Sequence, residues 1–101
     1  MAVRREVAEF VALGPLPCSS EADELSVDRH GTLLSRIKGP VTDDEARALA
    51  TAFGPDECFG LAWTLLHLIE TAPSPVVRQQ PPEGASEWIR LIWDRWRRLT
   101  E

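Results

Sequence analysis

Glycine-proline pairs partition this chain before any other property does. Gly14-Pro15, Gly39-Pro40 and Gly54-Pro55 are followed by the run PSPVVRQQPPEG at residues 73 to 84. Proline has no backbone N–H, fixes its own φ and pushes the preceding residue out of the helical region. Helices are therefore expected to stop at these points. The intervals between them carry apolar residues at helical spacing. The expected fold is all-α: a compact bundle of four to five short helices in one domain of residues 1–101, with 73–84 as a Pro-rich connecting loop.

In the first interval Val3, Val7, Phe10 and Val11 fall at i, i+4, i+7 and i+8, which predicts a helix over Ala2 to Leu13 stopped by Gly14. PLPCSSEA, at 15–22, reads as a connector. The stretch DELSVDRHGTLLSRIKG reads two ways. Val27, His30, Leu34 and Ile37 share a helical face, which favours a helix ending near Lys38. The alternative is a small β-hairpin at 24-37, with ELSV pairing with TLLSRI across the turn DRHG. Gly31 inside the helix costs about 1 kcal/mol relative to Ala.

Beyond Pro40 the helix signals are stronger. Thr42 and Glu45 have capping-box spacing, Asp43 and Asp44 suit the positive end of a helix, and Val41 serves as a staple. The helix so predicted starts at Asp43 and turns Ala46, Leu49, Ala50 and Phe53 inward, with Gly54 closing it in the left-handed conformation. Pro55 then suits the first position of the next helix, with Asp56 and Glu57 in its first turn, giving a tight helical hairpin. In CFGLAWTLLHLIETA the apolar residues cover well over half the circumference, so this is the central helix. Ser86 is placed to cap the last helix. There Trp88, Ile89, Ile92, Trp93, Trp96 and Leu99 form one apolar stripe, opposite Arg90, Asp94, Arg97 and Arg98. The predicted core is Trp63, Leu65, Leu66, Ile69, Phe53, Leu49 and Phe10, closed by the tryptophan helix.

Charge and cysteine usage narrow the function classes. The net charge is −5, and residues 21 to 57 hold nine acids against the four bases Arg29, Arg36, Lys38 and Arg47. Such a surface disfavours general binding to phosphate and suits a positively charged protein partner. Ten of the eleven basic residues are arginine, a codon bias that reads as a GC-rich bacterial genome. The apolar run from Cys58 to Ile69 is too short for a membrane span, and Glu6 and Glu9 break any signal core at the start of the chain. The expected location is the cytoplasm, with Cys18 and Cys58 as reduced thiols.

The residues that could carry chemistry do not assemble into a motif. Cys18, His30, Cys58 and His67 lack metal-ligand spacing, so no metal and no cofactor is expected. Cys58 and His67 are nine residues apart on one helix, about 13.5 Å of rise, and cannot form a nucleophile-base pair. At a helix start Cys58 would have a lowered pKa, whereas its apolar neighbours favour a small buried hydrophobe. Gly60, Thr64 and His67 form a small, polar strip that suits a helix crossing or shallow pocket. The carboxylate clusters are accounted for by helix starts, and no glycine-rich phosphate loop is present. No enzyme is expected.

What remains is a small protein-binding module, of the kind that acts as an inhibitor or immunity-type partner, working through its acidic helical surface or its C-terminal helix. The contact residues expected on that helix are Trp88, Trp93, Trp96, Arg90, Arg97 and Arg98, because Trp and Arg are enriched at binding hot spots. The competing role for the same tryptophans is core packing. The partner is another protein or a second copy of the chain. The alternative function is a nucleic-acid-associated regulatory protein using the Arg-rich end. It is disfavoured, as is a membrane surface, because residues 86 to 101 set only four arginines against three acids.

Overall fold

Helices form where the periodic segments lie. The computed structural model describes every residue except Met1, Ala2, Ala22, Pro55, Pro75, Val77, Arg78 and Glu101, and leaves aside the side chains of Leu99 and Thr100. The helices are α1 (Arg5–Ala12), α2 (Glu24–Ser35), α3 (Asp43–Leu49) with a 3-10 turn at Ala50–Ala52, α4 (Leu61–Ile69) and α5 (Glu87–Thr100). No strand occurs among the described residues. The fold is an all-α compact bundle, with a radius of gyration of 13.2 Å, close to the ~13 Å of a folded chain this long.

The 24–37 segment is helical, not a hairpin. The Asp23 carboxylate caps it by accepting from the N–H of Ser26 at 2.7 Å, and His30 and Leu34 turn into the core. The helix ends at Ser35, and Ile37 is buried beyond it. The start of α3 is the capping box read in the sequence: Thr42 Oγ1 accepts from the N–H of Glu45 at 3.1 Å, and Glu45 Oε1 accepts from the N–H of Thr42 at 2.9 Å.

Two features of the Gly54-Pro55 corner differ from expectation. Gly54 does not adopt the left-handed conformation: the 3-10 turn ends at the extended Phe53. Gly54 is needed for another reason, since a Cβ there would stand 1.9 Å from the Leu16 carbonyl oxygen. The connector after α1 runs against this corner, and the N–H of Leu16 donates to Ala52 O at 2.8 Å. Nor does the next helix start at residues 55–57; Pro55 lies outside the described residues, and α4 begins at Leu61. The Asp56 carboxylate accepts from the N–H of Cys58 at 3.0 Å, an Asx-type turn that competes with the helix. Cys58 (φ 45°), Phe59 (φ 53°) and Gly60 (φ 89°) then follow in the left-handed region. The tight helical hairpin is thus a longer, irregular connection.

α1 packs against α2 and α3, and α3 against α4. Phe10, Leu16, Leu49, Leu65 and Leu66 are buried at their centre, each fully buried side chain contributing roughly 1.5–3 kcal/mol. Trp63 is not in this core: it is 40 % exposed, on the side of α4 that faces α5 through the Trp88 ring. α5 joins through Trp88 and Ile92, both buried, and through Arg95, whose guanidinium donates to both oxygens of Glu70 at 2.6 and 3.0 Å. No helix among the described residues is long and apolar enough to cross a membrane.

Candidate functional site

The turn before α4 and the first turns of α5 enclose a cleft of about 600 Å³, lined by Asp56, Glu57, Trp63, Glu87, Trp88 and Leu91. Its aromatic wall is built in layers. Phe53, left extended by the end of the 3-10 turn, stacks on Trp88 with ring centroids 5.5 Å apart and planes 4° from parallel. Trp63 meets Trp88 at 84° with centroids 5.1 Å apart. Trp88 is 7 % exposed, and its indole N–H is buried without an acceptor among the described residues. A buried donor left unpaired costs roughly 1–3 kcal/mol.

The rim is acidic. Asp56 belongs to the scaffold: besides Cys58, it accepts from the N–H and hydroxyl of Ser19 at 3.1 Å and from the Cys18 thiol at 3.7 Å. The Cys58 N–H foremost, then Ser19 and Cys18, hold its carboxyl below the usual range, against desolvation. Glu57 and Glu87 are exposed and have no ion pair among the described residues. Two residues beyond Glu57, Phe59 presents its ring to solvent at 65 % exposure from a left-handed backbone. That conformation costs roughly 1–2 kcal/mol for a residue with a Cβ.

The expected contact residues of α5 separate. Trp88 is the buried anchor. Trp93 and Trp96 are half-buried and lie against each other with centroids 5.4 Å apart. Arg90 turns back to the Ala85 and Pro82 carbonyls, Arg97 lies 3.4 Å from Asp94, and Arg98 is exposed. Gly60, Thr64 and His67 do not form a helix crossing. Gly60 caps α4, Thr64 and His67 are exposed, and His67 Nδ1 lies 3.5 Å from Glu70.

The cysteines and histidines are divided among separate tasks. His30 donates from Nδ1 to Ser26 O at 2.8 Å and packs edge-on against Phe10. Cys18 and Cys58 both touch Asp56, one by its thiol and one by its N–H. Burial, then the Asp56 charge, pushes the Cys58 thiol pKa up, the opposite of the lowering expected at a helix start. Among the described residues no three metal-ligating side chains converge.

Reading the sequence alone missed the cleft. It placed Trp63 in the core and Asp56 and Glu57 at a helix start, when an Asp two residues before Cys58 is also an Asx-turn signal. No family model, no curated protein and no solved structure matches this chain, so its site is read from its own geometry.

Proposed function

We propose that this protein is a small protein-binding module whose contact surface is the aromatic, acid-rimmed cleft between the start of α4 and the start of α5. The observation that carries the reading is the exposure of Trp63 beside Glu57 and Glu87 in the cleft lining, with Phe59 exposed on the turn that leads into α4. Among the described residues only one other large hydrophobic side chain, Leu25, is exposed. Aromatic side chains gathered at a concave site, with polar groups at the rim, are the composition of an interface centre. Phe59 supports the reading further, because its backbone conformation is unfavourable and its ring gains little burial in return.

The two surfaces named by the sequence, the acidic helical half and the tryptophan helix, meet at this cleft. Glu57 ends the acidic half, and Glu87 and Trp88 begin α5. The nucleic-acid alternative would use Arg90, Arg97 and Arg98. Of these, Arg90 and Arg97 already have partners within α5 or the loop before it.

The test is parallel affinity capture from an extract of the source cells with the wild type, a Trp63→Ala/Glu57→Lys variant and an Arg97→Ala/Arg98→Ala variant. The proposal expects a protein partner held by the wild type and by the arginine variant and lost from the cleft variant. Retention by the cleft variant, or nothing held by the wild type above bare resin, overturns it.

A further inference from the structure

Resting on that reading, we infer that the cleft receives a basic segment of the partner chain, with an arginine guanidinium lying over Trp63 between Glu57 and Glu87. Two observations select this occupant. The first is charge. The described lining includes three carboxylates and no basic residue. Asp56 is occupied by Ser19, Cys18 and Cys58, which leaves the charges of Glu57 and Glu87 unanswered.

The second is the aromatic surface. Trp63, 40 % exposed, offers indole surface at the cleft, and a cation over such a face gains roughly 0.5–2 kcal/mol. Arginine suits the place better than lysine, because its planar guanidinium stacks on a ring while its edge forks to a carboxylate. A guanidinium is also the more weakly hydrated of the two cations, so less is lost on leaving water.

A volume of about 600 Å³ holds an arginine side chain with the adjoining backbone. The net charge of −5 favours the approach of a positive segment and raises its on-rate.

The measurement is an NMR titration of the intact 15N-labelled protein, following the indole and backbone N–H signals, at low and at physiological ionic strength. Three probes are used: a blocked peptide of alternating arginine and glycine, the same peptide with glutamate for arginine, and tetramethylammonium chloride. The arginine peptide is expected to move the Trp63 indole signal and the backbone amide signals of Glu57 and Glu87, which also report on the Trp63→Leu variant. Its affinity is expected to fall about tenfold in Glu57→Gln/Glu87→Gln and about tenfold in Trp63→Leu. These positions are exposed, so both variants keep the fold, which circular dichroism checks.

Equal shifts from the glutamate peptide, equal affinity for the variants, or a Trp63 response to tetramethylammonium matching that to the peptide each overturns the inference. If the cleft variant loses its captured protein while the arginine peptide leaves the Trp63 indole unmoved, the binding-module reading stands and the basic occupant is wrong. If neither experiment responds, both fall.

Discussion

Glu45 does two jobs with one carboxylate. It is 1 % exposed; Oε1 completes the capping box of α3, and its oxygens take 2.8 and 3.1 Å bonds from the Arg4 guanidinium and a 3.0 Å bond from the Arg4 N–H. The Arg4 side-chain bonds first, then the N–H groups of Arg4 and Thr42, outweigh desolvation and hold its pKa at about 2, down from 4.5. Because the folded value is the lower one, the stability from this group is present above pH 4.5 and is lost as pH falls toward 2. That contribution is at most about 3 kcal/mol, reduced by screening at the part-exposed Arg4 side chain. An acid unfolding series should show this loss in the wild type and a flatter profile in Glu45→Gln, whose amide keeps the capping acceptor; parallel profiles refute it. Arg4→Ala removes the side-chain bonds but leaves the N–H groups of residue 4 and Thr42 on the carboxylate, and should cost about 1–3 kcal/mol in urea unfolding. The capping box was legible because its residues stand three apart, whereas Arg4 stands 41 residues from Glu45 and no local pattern marks it. Phe59 makes the opposite trade. Phe59→Gly should raise stability by about 1 kcal/mol by relieving the left-handed backbone, while weakening capture of the partner. A melting temperature that drops would show that the ring is needed by the fold.

At the scale of elements, the helices follow from periodicity and punctuation, and the connections do not. α2 was legible once His30, Leu34 and Ile37 were read on one face, because a hairpin would have sent part of that set to solvent. The 54–60 connection was misread because glycine, proline and two acids are helix signals whose meaning changes when Asp56 bonds the N–H two residues on. The glycines make this distinction measurable. Gly31 sits within α2, and a Cβ there meets only Leu61 Cδ2 at 3.5 Å, an ordinary contact. Gly31→Ala should therefore stabilise by about 1 kcal/mol, since helix interiors disfavour glycine. Gly54→Ala places a methyl 1.9 Å from a backbone oxygen of the connector and cannot be relieved by a rotamer change. It should cost more than about 2 kcal/mol and expose the amide of Leu16 to hydrogen exchange. Equal effects from the two substitutions would refute the crossing of connector and corner.

Across the whole molecule the tryptophan stripe of α5 divides the work of folding from the work of contact. Its period predicted one apolar face, but one face of a terminal helix can rest on the core only where the core reaches it. Trp88 meets Phe53 and Trp63 at the near end, and the Arg95–Glu70 pair ties the middle of α5 to the end of α4. Trp93 and Trp96 pair with each other, and among the described residues neither is packed on the buried core. Replacing all three together would report only the loss of Trp88. The informative comparison is Trp88→Ala against Trp93→Ser/Trp96→Ser. Trp88→Ala removes a buried ring and should cost about 3–5 kcal/mol, a large share of the 5–15 kcal/mol typical of a domain. The double serine variant should lose less than that single substitution, although it removes twice as many rings, because those rings are already half in water. Urea unfolding followed by circular dichroism decides the order, and light scattering on the folded double variant shows whether the Trp93 and Trp96 pair also joins two copies. A double variant less stable than Trp88→Ala would mean that the outer pair belongs to the core and that α5 is held along its whole length.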